Sequence, residues 1–241
     1  METPQYLDAI RDESARLVAA AETAGPTAPV PSCPEWTVAD LLGHIGRIQR
    51  WQADLVARRV QEAEFSLAEP PTDPAVLLSW VRDASALVLE VFAATAPDVP
   101  VWTLVGPGVA SFWVRRQAHE VALHRVDADL AAGETAPAIG RDLAVDGIDE
   151  FFDVVVPRIA DRLVGDGATI HLHCTDADGE WLLRLTGDGP EIERVHAKGD
   201  VAARGTASDL LLAVRARVGL DALEVFGDAD LLARFVDQSR L

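Results

Sequence analysis

Between Pro4 and Gly133, apolar residues recur at helical spacing, which predicts four helices. The first runs from Pro4 to Ala24 and stops at the loop GPTAPVPSCP. The second opens at Thr37 with Asp40 three residues on, a capping-box start with Asp in place of Glu or Gln. It is expected to reach Glu64. The third follows EPPTDP and carries Leu77, Val81, Leu87, Val88 and Val91. The fourth follows a turn at Gly106-Pro107-Gly108 and ends near Gly133. With no convincing strand between them, these helices predict an all-α bundle.

The segment TAPAIGRD, residues 135–142, reads as a linker, giving expected domains at 1–137 and 142–241. Beyond it the pattern changes. A helix is expected from Leu143 to Leu163, with Ile148, Phe152, Val155 and Ile159 on one side. Strands are then predicted at Thr169–Cys174, Glu180–Thr186 and Ile192–Ala197, with a short fourth near Val201. Helices at 207–217 and 228–239 close an α+β half.

Charge narrows the functional classes. The formal net charge of the 241-residue chain is −18. It divides evenly, with 10 basic and 19 acidic residues in 1–137 and 11 and 20 in the remainder. No basic patch can track phosphates, so nucleic acid is disfavoured as a partner. The longest uncharged stretch, Val99 to Val114, has 16 residues and is broken by Pro and Gly. That disfavours a membrane span. The N-terminus METPQYLDAIRDES lacks a signal-peptide pattern. Two cysteines, Cys33 and Cys174, make no disulfide framework and fit a reducing cytoplasm. No phosphate-binding Gly loop, nucleophile elbow or CxxC motif is present.

The chemistry concentrates in RRQAHEVALHRVDAD on helix four. At 100° per residue, Arg116, Glu120, His124 and Asp127 fall within about 80° of one another. Arg115, Arg125 and Asp129 lie on the opposite side, which is assigned to solvent. The first set would then point into the bundle, where ionisable groups must pair or coordinate a metal. Glu120 and His124 are one turn apart and can meet one ion. On helix two, His44 shares an apolar stripe with Leu41, Ile48, Trp51 and Leu55 and should face the core. Two histidines and one glutamate would leave a coordination position open, as catalytic zinc sites do. The alternatives are a surface Glu/His pair and a hydrogen-bonded core histidine.

The segments VPSCPEWTVADLLGHIGRIQRW (30–51) and FWVRRQAHEVALHRVDADLA (112–131) resemble two signatures of the mycothiol-dependent maleylpyruvate isomerase family. The second has the form R-x3-E-x3-H-x2-D, here Arg116, Glu120, His124 and Asp127. The resemblance implies a DinB-like metal-binding four-helix domain followed by an α+β sterol-carrier-like domain. It implies that His44, Glu120 and His124 bind a divalent metal, zinc first, with Arg116 and Asp127 behind them. RGTASDLLLAVRAR (204–217) matches the second domain's helix entry. There Arg215-Ala216-Arg217 stands where relatives often read Trp-Gly-Arg.

The implied activity uses mycothiol or a related thiol on a small electrophilic substrate, as an isomerase or a transferase. Arg116 and Arg217 are candidates to hold a substrate carboxylate. The acidic chain gives no long-range attraction for such a substrate. Trp51 and Trp113 are candidates to line a cofactor pocket, with core packing as the alternative. Two rival functions remain open: a binding protein for an apolar small molecule, and a metal-dependent hydrolase.

His171 and His173 lie two apart on a predicted strand and so share a sheet face. They are read as an exposed polar face, with a second metal site as the alternative. Cys33 is read as a small packed residue in preference to a reactive thiol, and His119 as flanking packing.

Overall fold

The computed structural model describes residues 1–135 and 137–240. The expected linker at 135–142 includes Ala136, which lies outside the described residues, as does Leu241 at the end of the second expected domain. The chain divides into two compact units, Met1–Pro137 and Ala138–Leu241.

Unit 1 contains α1 (Thr3–Ala24), α2 (Val38–Ala57), α3 (Pro74–Ala94) and α4 (Ala110–Ala131). The expected capping box starts α2. Thr37 Oγ1 accepts from Asp40 N at 3.3 Å, and the Asp40 carboxylate accepts from Thr37 N at 2.8 Å. Asp73 caps α3 ahead of Pro74, whose missing N–H costs nothing in the first turn. Leu17, Leu41, Ile45, Leu77, Val81 and Val121 form the centre of the core. Helices α2 and α3 approach closely because Gly46 leaves room for the Trp80 ring.

Two expectations for unit 1 need correction. Helix α2 stops at Ala57, short of Glu64. Arg59 takes a positive φ of 53°, which turns the chain, and Trp51 Nε1 pins the following segment by donating to Glu64 O at 2.7 Å. The interval before α4 is also more than a turn. Strands β1 (Pro100–Thr103) and β2 (Gly106–Val109) form an antiparallel hairpin, and Trp102 N donates to Val60 O at 2.6 Å. Gly106, at φ +111°, supplies the left-handed residue of its turn.

Unit 2 is α+β. Helix α5 covers Arg141–Glu150 and continues as a π-helical stretch, Phe151–Val155, then a 3-10 stretch, Val156–Arg162. The single helix expected to Leu163 is thus interrupted near Pro157, which cannot supply an amide to the ladder. Five strands follow in the order β5-β4-β3-β6-β7. They are β3 (Thr169–Cys174), β4 (Glu180–Thr186), β5 (Gly189–Glu193), β6 (Val201–Gly205) and β7 (Glu224–Gly227).

Among the described residues, only the central β3–β6 pair is parallel. Strand β5 begins three residues earlier than expected because Gly189, at φ +115°, pairs directly with Thr186 in a tight turn. Strand β7 was not expected; at four residues, mostly exposed, it carries little alternation to read. Helices α6 (Ala207–Val214) and α7 (Ala229–Gln238) are capped by Thr206 and Asp228.

Candidate metal centre

Helix α4 packs against α1 and α2. Its inward residues therefore meet two different neighbours. On the α2 side, His44 Nε2 lies 2.9 Å from Glu120 Oε1, and His124 Nε2 lies 3.4 Å from the same oxygen. One ligand atom from each of the three residues falls within 4.8 Å of the others. The Glu120 side chain is only 12% exposed.

The surrounding groups hold this set. Arg116, one turn before Glu120, pairs with the other carboxylate oxygen, Oε2. Asp127 accepts from His124 Nδ1 at 2.8 Å, and Ser32 donates its hydroxyl to the second oxygen of Asp127. Trp36 lies over both imidazoles, with ring centroids 4.9 Å from His44 and 5.9 Å from His124. The two imidazoles meet edge to face at 4.9 Å.

Burial by itself would push the Glu120 carboxyl up. The Arg116 guanidinium, then hydrogen bonds from His124 and His44, outweigh it and hold the carboxyl well below the usual range. For His124, burial favours the neutral ring, but hydrogen bonds to Asp127 and Glu120 win and raise its pKa.

Other predicted residues lie elsewhere. Trp51 and Trp113 meet edge to face at 5.1 Å in a cluster with Trp102. Their indole N–H groups are taken by Glu64 O and Trp102 O, each at 2.7 Å. Arg217 belongs to unit 2, where it donates to Arg215 O at 2.8 Å. Cys33 packs against the unit 1 core. His119 is buried, with its ring edge to face with Tyr6.

The side of α4 assigned to solvent is a correction. Arg125 is fully buried. Its guanidinium donates to Glu13 at 2.6 Å, to Asp129 at 2.9 Å and to Pro137 O at 2.9 Å. Helix α1 covers that side and brings the compensating carboxylate, which the periodicity of α4 does not reveal.

Two residues beside the centre, Ser32 and Trp36, give no signal in the helical pattern. They come from the loop before α2, and helical periodicity says nothing about a loop's path. Their one signal is proximity to the Thr37 cap. Gln117, one turn before Glu120, is fully buried, and neither of its amide atoms has a hydrogen-bond partner.

Comparison with known proteins places the chain in a family. A model described as the mycothiol maleylpyruvate isomerase N-terminal domain matches residues 7–129, and one for the C-terminal domain of the same family matches residues 142–234. No curated protein sequence matches the chain. Two crystal structures of a mycothiol-dependent maleylpyruvate isomerase, one of them a histidine-to-alanine mutant, each cover 93% of this chain and 93% of their own. They share 14% identity with it, at TM-scores of 0.69 for the mutant and 0.65. At that identity the likeness establishes the fold. Among the described residues, no helix is long and apolar enough to cross a membrane.

Proposed function

This chain belongs to the mycothiol maleylpyruvate isomerase family, and from that premise we propose that it is a metal-dependent enzyme using a low-molecular-weight thiol of the mycothiol kind. Its reaction is the cis-trans isomerisation of, or S-transfer to, a small electrophile. The supporting observation is the meeting of His44, Glu120 and His124 around one buried point.

The donor set fits a divalent ion of the zinc class: two imidazole nitrogens and one carboxylate oxygen, with a carboxylate behind one imidazole. Bound together, such an ion and a thiol supply a thiolate at neutral pH, able to add reversibly to an activated cis double bond or to remain on an electrophile.

The chain's own residues set the conditions. His44 from α2 and the Glu120/His124 pair from α4 hold the ion, so the packing of two helices fixes their separation. Asp127 accepts the hydrogen bond of the His124 Nδ1–H, which fixes the tautomer whose Nε2 lone pair faces the metal. Ser32 orients Asp127. Arg116 offsets the charge of Glu120, and this pairing makes it a positioning residue in preference to a substrate clamp. Trp36 covers the imidazoles and limits water.

Elemental analysis of wild type beside Glu120→Ala tests this. The variant is expected to contain one divalent ion fewer per chain and to lose thiol-dependent conversion of a cis unsaturated dicarboxylate. Unchanged metal content in Glu120→Ala would overturn the proposal.

A further inference from the structure

Three of the chain's six histidines lie in unit 2, and all three converge on one carboxylate. His171 Nε2 and His196 Nδ1 lie 3.2 Å and 2.6 Å from Glu180 Oε2, and His173 Nδ1 lies 2.9 Å from Oε1. The ring centroids are 5.6 to 6.2 Å apart.

Topology produces this cluster. His173 sits directly opposite Glu180 in the antiparallel β3–β4 ladder. His171, two residues back, shares that face of β3. His196 arrives from the connection between β5 and β6.

The exposed polar face expected for His171 and His173 is therefore a further correction, because His171 is only 5% exposed. Glu180, the first residue of β4, and His196 close over it. A solvated strand face does not bury an imidazole against a carboxylate and a second imidazole.

The composition of the cluster is informative. A carboxylate that only needed charge balance would be expected to attract Arg or Lys. The nearby arginine, Arg194, is instead engaged by Asp149 at 2.5 Å. Two imidazoles and one carboxylate make up a donor set suited to zinc and its first-row neighbours. One ligand atom each from His171, Glu180 and His196 falls within 4.8 Å of the others. His173, Glu180 and His196 also line a surface cavity of about 550 Å³, which gives an ion a route from solvent.

We propose that His171, Glu180 and His196 form a second divalent-metal site, in unit 2, for a zinc-class ion, with His173 held beside it against the other oxygen of Glu180. Such an ion would clip the β3–β4 ladder to the connection that leads into β6. The site shares no residue with the centre in unit 1.

The test uses untagged full-length protein, stripped with a chelator and titrated with cobalt(II), read by visible absorption and by elemental analysis. Glu120→Ala isolates the unit 2 site. It is expected to bind one cobalt ion per chain with the bands of a low-symmetry, imidazole-rich site. Adding His196→Ala to that background should weaken binding at least tenfold. The His196 side chain is 80% exposed, so its removal leaves folding intact. Glu180→Gln in the same background should abolish binding, with circular dichroism confirming the fold.

Failure of Glu120→Ala protein to bind cobalt, or binding indifferent to both His196→Ala and Glu180→Gln, would overturn the proposal. An ion retained in Glu120→Ala and lost with His196→Ala would support it whatever becomes of the unit 1 centre.

Discussion

Helix α4 carries two buried polar faces, and they are built from different chemistry. On one, Arg125 spreads its donors over Glu13, Asp129 and the Pro137 carbonyl. A guanidinium has no lone pair to give, so this constellation is closed once its donors are matched. On the other, His44 and His124 both approach one oxygen of Glu120 while Arg116 occupies the second. Each neutral imidazole keeps a lone pair that can be turned toward a metal. Both faces satisfy the rule that buried charge must be compensated. Only the second can exchange its hydrogen bonds for coordination. Burial of charge on a helix face thus marks a constraint, and the donor type says whether it is structural or chemical.

That contrast can be broken by substitution. The largest expected effect on stability is from Arg125→Ala, which strands Glu13 and Asp129 without their cation. A loss of about 3–5 kcal/mol is expected in urea unfolding, with metal content per folded chain unchanged. A loss below about 1 kcal/mol would remove the closed-face reading. His44→Ala should do the reverse. Metal affinity of the unit 1 centre should fall by roughly a hundredfold or more, with the bundle still folded by circular dichroism. Metal content in that variant equal to that of wild type would take His44 out of the centre. Asp127→Asn should weaken metal binding by about 10- to 100-fold, because it disturbs His124 without removing a ligand.

The smallest effect is a pH dependence. In metal-free protein the raised pKa of His124, above its ordinary 6.5, contributes stability that is complete below 6.5 and lost as pH rises through the raised value. Over the same range the proton stops competing with metal. The rise in melting temperature on adding zinc should therefore be larger at about pH 8 than at about pH 6. Asp127→Asn should shrink that difference, because Asp127 makes the larger of the two hydrogen bonds' contributions. An equal rise at both pH values would remove His124 from the pH response.

What the sequence made legible follows from what periodicity can report. It separates the faces of a helix, so Glu120, His124 and His44 were assigned inward, and their side chains do meet. It does not say which neighbour covers a face. Periodicity alone therefore points Arg125 to solvent, although Glu13 of α1 lies against it. Loop paths are equally silent, which is why Trp36 and Ser32 were missed beside the centre. Short elements without alternation, the β1–β2 hairpin and β7, fell below detection. The break in α5 left one trace, Pro157, set within otherwise helical apolar spacing. The two family models, one for each domain, agree with the resemblance carried by the two helical signatures.

The parallel pairing of β3 with β6 also has a consequence during synthesis. Strand β3 acquires β4 almost at once through a short turn, but β6 begins at Val201, 27 positions after Cys174. At about 5–20 residues per second, a ribosome needs roughly 1–5 s to make that interval. Throughout it, the second edge of β3, with Ile170 and Leu172 destined for the core, has no partner from its own chain. An unpaired apolar edge is a template for another chain's strand. The central strand of the finished sheet is thus the exposed edge of the nascent one, and slow codons between 175 and 200 would lengthen the time during which neighbouring nascent chains can capture it.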